Sequence, residues 1–255
     1  MVLRWWFLEQ APRVLIINGS PRKYGSSAQL SEVAALGVRE AGGVPEKMYL
    51  YDYNIKPCVG CVSDNVKYCA FPCLIKDDDF NKVASKVIEA DGLIISTPVY
   101  WYAPSGVLKN FIDRLTSLEN MIFHSGKSLL EGKVVGFIAT GLDSGVFMAI
   151  AYLMSVFNSM GAVIAPWSMA YTHAEDVTKD EGALKDAYNV GYLVTETIKA
   201  IKSYGKHIGY KPDVDLVKVV RVLGAYRVTL EEKRSRRNLE FSKSLRASGN
   251  SVDHS

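Results

Sequence analysis

Arg13 to Ser27 reads RVLIINGSPRKYGSS, and its first half decides the fold. Val14, Leu15, Ile16 and Ile17 form an apolar run without the alternation of a strand that has one wet face, so the segment reads as a strand buried on both sides. It stops at Asn18-Gly19-Ser20-Pro21, a turn sequence. From Ser26 to Ala41 the apolar positions Leu30, Val33, Ala34, Gly37 and Val38 keep helical spacing, and Gly42-Gly43 ends the segment as helix stops do. Strand, loop and helix in that order are the opening of a parallel sheet, whose neighbouring strands need crossover connections.

The pattern recurs along the chain. Strands are expected near 47–51, at Leu93-Ile94-Ile95, over 134–139 and over 162–165, with helices from about 79 to 89, 105 to 117, 146 to 160 and 182 to 203. Five strands alternating with helices predict an α/β, doubly wound domain over 1–204 with a five-stranded parallel sheet. A cysteine-rich insert occupies 58–73. Over 205–255 the character changes to a basic C-terminal extension of helices, one near 214–223 and a charged one that Thr229 and Glu232 would cap; the segment after Ala247 reads as a disordered tail.

A length of 255 residues, 48% hydrophobic and 22% charged, is an ordinary globular composition that needs no staples to build a core. The start MVLRWWFLEQAPR lacks the apolar run and small-residue cleavage site of a signal peptide, which reads as cytoplasmic. A net charge of +3 does not call for a nucleic-acid partner. Gly145 to Trp167 is about as long as a membrane span, but Asn158, Ser159 and Gly161 divide it into a buried helix and a buried strand, so no membrane is expected.

In an open parallel sheet, ligands sit beyond the carboxyl ends of the strands. Three loops fall there. The first, 19–27, opens a helix and offers hydroxyls from Ser20, Ser26 and Ser27 and the guanidinium of Arg22, a set suited to a terminal phosphate. It matches neither Gly-x-x-x-x-Gly-Lys-Ser/Thr nor Gly-x-Gly-x-x-Gly, which removes the P-loop and dinucleotide readings. The second, with Pro98, Val99, Tyr100 and Trp101, makes a stiff apolar wall for a flat ring. The third, with Thr140, Gly141, Asp143 and Gly145, is small and polar and permits close backbone approach. No Ser/His/Asp arrangement supports hydrolysis; His124, His173, His207 and His254 are scattered. Asp77-Asp78-Asp79 reads as the cap of the following helix, and Asp113-Arg114 as a structural ion pair.

All four cysteines, Cys58, Cys61, Cys69 and Cys73, lie within sixteen residues. In a reducing compartment such a cluster favours metal ligation over disulfides. The spacing C-x2-C-x7-C-x3-C meets neither the ferredoxin nor the zinc-ribbon rule, and iron-sulfur, zinc and metal-free readings all stand on the residues alone.

The Gly-Ser-Pro-Arg loop, the run from Asp91 through Thr97-Pro98-Val99-Tyr100-Trp101 to Lys109-Asn110-Phe111-Ile112-Asp113-Arg114, and the Thr140-Gly141 loop together resemble the NADPH-dependent FMN reductase family. Within that family the iron-sulfur flavoprotein branch is similar in placing a compact cysteine motif after the second strand and following its last cysteine with Lys76-Asp77-Asp78. The resemblance covers about Arg13 to Ser203. It implies a flavodoxin-like sheet of order 2-1-3-4-5, FMN with its phosphate at Ser20 to Ser27 and its ring against Pro98 to Trp101 and Thr140-Gly141, and NAD(P)H as electron donor to an unknown acceptor. It also implies a [4Fe-4S] cluster on the four cysteines, although the third family cysteine is replaced here by Asp64, with Cys69 as its substitute. Two further readings are an FMN and iron-sulfur electron carrier without nicotinamide turnover, and a flavin-sensing module with the basic extension as its contact. The apolar positions of that extension point to a homo-oligomer, a dimer or tetramer.

Overall fold

A computed structural model describes residues 11–206, 208–222 and 230–247. The chain divides into two compact units, one ending at Tyr210 and the other beginning at Lys211.

The first unit is built on the strands β1 (Arg13–Asn18), β2 (Val44–Tyr49), β3 (Gly92–Tyr100), β4 (Val134–Thr140) and β5 (Val163–Thr172). They pair in parallel in the order β2-β1-β3-β4-β5. A two-residue strand, Ala103–Pro104, turns back antiparallel on the end of β3. The helices are α1 (Ser26–Glu40), α2 (Phe80–Glu89), α3 (Gly106–Arg114), α4 (Val146–Ser159) and α5 (Glu181–Tyr204).

The apolar run of β1 is divided between two cores, as a strand covered on both faces must be. Leu15 and Ile17 join a core with Phe80, Phe111, Phe137, Ile150 and Phe157, contributed by α2, α3, β4 and α4. Val14 and Ile16 join the other, with Leu30, Val38, Val190 and Val194 from α1 and α5. Alternate residues of β3 and β4 divide the same way, which explains why no period-two pattern marks them in the sequence.

The last strand is longer than the sequence indicates. Its second half, Ser168 to Thr172, alternates buried and exposed residues as an edge strand does, and an irregularity opposite Gly136 separates it from the apolar first half. Trp167 sits in that irregularity with φ of 53°, a left-handed conformation costly for its bulk. Among the described residues no helix is long and apolar enough to cross a membrane; the 145–167 run is α4 followed by the start of β5.

The second unit contains α6 (Leu216–Val222) and α7 (Leu230–Ala247). The Thr229 cap and the segment after Ala247 lie outside the described residues, as does His207.

Helices α1 and α5 approach until their backbones touch. A Cβ on Gly191 would overlap the carbonyl of Ala34, and one on Gly37 the carbonyl of Tyr188. Because backbone cannot step aside as a side chain can, Gly191→Ala should lower unfolding free energy by about 1–3 kcal/mol despite the better helix propensity of alanine. Urea denaturation of the two proteins checks this; unchanged or raised stability would contradict the close contact.

Candidate functional site

At the carboxyl ends of β1, β3 and β4 lies a pocket of about 540 Å³, a size that suits a mononucleotide-sized ligand. One end is the start of α1. Gly25 is its N-cap residue, no side chain caps it, and its first turn carries no carboxylate. The amides of Gly25 and Ala28 bond to the Arg22 and Gly25 carbonyls, which leaves those of Ser26 and Ser27 without an acceptor among the described residues, and free amides at a helix start attract anions. Lys23 is held by Asp52 at 2.6 Å, whereas the Arg22 guanidinium has no ion pair among the described residues and lines the pocket.

A buried polar network fixes this helix start against three strands. Ser27 Oγ lies 2.7 Å from Thr140 Oγ1 at the end of β4. The Ser27 carbonyl accepts from Ser96 Oγ of β3 at 3.0 Å and from Ser31 Oγ at 2.7 Å. Asn18, ending β1, donates through Nδ2 to Ser31 Oγ and accepts at Oδ1 from the Ser20 amide at 2.7 Å. Ser105, just before α3, donates to the Gly19 carbonyl at 2.7 Å. Ser20 Oγ accepts the Arg22 amide, which curls the loop over the pocket floor.

Of the residues expected from sequence, Ser20, Arg22, Ser26, Ser27, Pro98, Tyr100, Thr140, Gly141 and Asp143 line this pocket together. Val99, Trp101 and Gly145 do not. Val99 is packed beside Gly141 instead. Trp101 and Tyr102 are the two turn residues of the hairpin formed by β3 and Ala103–Pro104, with φ of 50° and 65°. Both left-handed positions match the tight hairpin turn that such strands require, at a cost in strain for aromatic residues. Trp101 is 94% exposed. Gly145, with φ of 101°, lies under Tyr102, where a Cβ would meet the Tyr102 ring and Cα at 2.8 and 3.0 Å. Its role is to let the hairpin seat. Gly25, Leu142, Ala174 and Glu175 complete the wall. Ala174 and Glu175 follow the half of β5 whose polar, alternating sequence gave no buried-strand signal.

The four cysteines line a second, smaller cavity of about 40 Å³. All four thiols are free. Burial, then the neighbouring Cys61, Cys58 and Cys73, push the Cys69 thiol up to about 12, so the sulfurs sense one another across one small space. The loop is held from outside by side chains. Asn81 clamps Cys73, donating to its carbonyl at 3.0 Å and accepting its amide at 2.8 Å. Asn120 donates to the carbonyls of Val66 and Cys69, both at 2.6 Å, and His124 Nε2 lies 2.9 Å from the latter. No three His, Cys, Asp or Glu side chains among the described residues converge as the ligands of a single ion would. The sulfurs line a wall around a space.

The same cavity is lined by Arg114, at the last turn of α3. The helix starts beside the Gly19 loop and runs about 13 Å at the α-helical rise, so the two sites lie one short helix apart with no shared lining residue. Arg114 pairs with Asp78, not with Asp113: Nη1 donates to Asp78 Oδ2 at 2.7 Å, with side chains 1% and 0% exposed. Asp113 is held by Lys109 at 2.6 Å. Adjacent helical residues diverge, which explains why the sequence neighbours do not pair. The aspartate run is divided accordingly. Asp77 pairs with Lys56, Asp79 accepts the Asn54 amide, and Asp78 alone accepts the Phe80 amide at the start of α2.

Residues 12–176, more than half of the chain, match the family model described as NADPH-dependent FMN reductase. An iron-sulfur flavoprotein of Archaeoglobus fulgidus is 30% identical over 208 residues, covering 75% of this chain and 98% of that protein. One from Methanocaldococcus jannaschii is 30% identical over 201 residues, covering 74% and 99%. In fold, the chain is similar to the crystal structure of RosB with a bound formylriboflavin phosphate intermediate, at a TM-score of 0.62 and 16% identity over 86% of this chain and 92% of that one.

Burial raises the Asp78 carboxyl, but its bonds from Arg114 and from the Lys56 and Phe80 amides outweigh it and hold it below the usual carboxylate range. Its stabilisation is therefore present above the unfolded value of about 3.9 and lost as pH falls through the folded one. Asp78→Asn, which leaves a buried guanidinium unpaired, should cost about 3–5 kcal/mol at pH 7. The gap to the parent protein should narrow below pH ~4. Denaturant titrations at both pH values test this; a gap that is small at pH 7 or constant with pH would contradict it.

Proposed function

The chain belongs to the NADPH-dependent FMN reductase family, and from that premise we propose that it is an FMN-dependent oxidoreductase in which the pocket at the start of α1 holds the flavin and the four cysteines hold a [4Fe-4S] cluster. The observation that carries the flavin placement is the uncapped helix start with an unpaired arginine. Ser20, Ser26, Ser27 and the amides of the first turn would surround a phosphate, and Arg22 would close over it with charge-assisted bonds. Pro98, Tyr100, Thr140 and Gly141 would flank the ring, with Gly141 letting backbone approach its edge. The Trp101-Tyr102 hairpin would stand at the rim and exclude water from one side. Bound FMN would supply the redox chemistry, hydride and single-electron transfer, while these residues bind and orient it. No side chain acting as acid or base is then required, in keeping with a pocket whose titratable groups are Arg22, Tyr100, Asp143 and Glu175.

The cysteine cavity fits a polynuclear centre by its donor set. Four thiols line one small cavity together with Arg114, and thiolate sulfur is the donor that iron-sulfur clusters take. A zinc ion would need four sulfurs about 2.3 Å from one position. A cluster here would take electrons one at a time and pass them to an acceptor. We further propose self-association through the exposed apolar residues of α6, Leu216, Val217 and Val222.

The purified protein should release FMN and oxidise NADPH when an artificial acceptor is supplied. Arg22→Ala should weaken FMN binding by about tenfold to a hundredfold, the range of a lost bond to a charged group. Fluorescence titration measures it, and unchanged affinity removes Arg22 from the site. Anaerobic protein reconstituted with iron and sulfide should hold about four of each per chain. Zinc with no sulfide, or no metal, would overturn the cluster assignment. FMN binding without NADPH turnover would instead favour an electron carrier.

A further inference from the structure

Arg114 is among the largest fully buried side chains of the protein, and its bonding is incomplete in one specific place. Nη1 donates to the Lys56 carbonyl at 3.0 Å and to Asp78 Oδ2 at 2.7 Å; Nη2 faces the Ile75 carbonyl and Asp78 Oδ1, each at 3.4 Å. The guanidinium carbon lies 4.5 Å from the centre of the Phe80 ring. Every one of these contacts is on the side of α2 and the 56–75 segment. Nε, by contrast, is buried and makes no bond of hydrogen-bonding geometry. A structural ion pair accounts for the two Nη groups and leaves Nε unexplained, and a buried charged donor left unbonded is costly.

The cavity wall supplies the explanation. Arg114 lines the cysteine cavity and Asp78 does not; the carboxylate of the pair is held by the Lys56 and Phe80 amides. We propose that Arg114 is a positioning residue for the cysteine-bound centre: its Nε–H donates to the Cys73 sulfur once that sulfur is a thiolate ligand, and the bond raises the reduction potential of the centre. The inference rests on the cluster reading given above. A cluster with four thiolate ligands is anionic, and each electron received from reduced flavin adds one negative charge without a proton. A fixed cationic donor stabilises the reduced form more than the oxidised form, as hydrogen bonds to ligand sulfur do. Burial lowers the Arg114 guanidinium, but Asp78 and Cys73, each as charge and as hydrogen-bond partner, outweigh it and raise it, which sets the Cys73 sulfur close beside the guanidinium.

Arg114→Lys keeps a positive charge for Asp78 and removes the Nε donor. In anaerobically reconstituted full-length protein, the variant should hold as much iron and sulfide as the parent and keep the flavin potential. Its cluster should be harder to reduce, by at least tenfold in the ratio of reduced to oxidised form, equivalent to a 59 mV fall for one electron. EPR-monitored titration reads the cluster and absorbance reads the flavin. A loaded variant with the parent's cluster potential overturns this proposal and leaves the cluster reading standing; a parent protein that takes up no iron overturns both. If the lysine variant does not fold or load, the parent protein labelled with 15N at arginine Nε decides. A spin-echo coupling between one 15N and the reduced cluster is expected, and its absence overturns the proposal.

Discussion

The hydroxyl and carbonyl of Ser27 are the joint on which the rest of the site turns. One residue in the first turn of α1 meets Thr140 from β4 and Ser96 from β3, and through Ser31 reaches Asn18 of β1. Polar groups buried this way are costly unless all of them are bonded, so the network is satisfied in one arrangement of helix and strands. That arrangement sets Ser26 and Ser27, whose amides have no acceptor among the described residues, in the pocket wall. The glycine contact between α1 and α5 holds the helix from its other side, leaving it little room to slide.

The same logic of satisfaction operates at the cysteine loop. A short irregular segment with two turns of 3-10 helix has few backbone bonds of its own, and Asn81, Asn120 and His124 supply them from helical elements beside it. The backbone that carries the sulfurs is thereby tied to its neighbours by side-chain bonds. The Arg114–Asp78 pair ties the segment to α2 and α3, so the loop is part of the core on that side, which contains Cys73 itself.

Much of this was legible in the sequence where chemistry and period coincide. Val14 to Ile17 announce a doubly buried strand, and Ser20, Arg22, Ser26 and Ser27 follow it at a helix start, so the strand and the loop that lines the pocket are legible together. What escaped was carried by pattern breaks. Pro166 and Trp167 end the apolar run of β5, and its continuation alternates Ser168, Ala170 and Thr172 inward with Met169 and Tyr171 outward, so Ala174 and Glu175 had no strand to follow. The hairpin turn at Trp101 and its seat at Gly145 are not legible in the sequence, where aromatic and glycine residues at strand ends read as ligand-facing. Sequence adjacency pairs Arg114 with Asp113, and only the three-dimensional path of α3 brings its partner from 36 residues away.

The central claim is that the start of α1 is a phosphate cradle, and it is tested most directly by comparing two flavins that differ only in that group. Titrated into flavin-free protein, FMN should bind about a hundredfold tighter than riboflavin, as expected when two or more charge-assisted bonds are made to the phosphate. The advantage should shrink as salt screens the partly exposed arginine. Equal affinities for FMN and riboflavin would contradict the account.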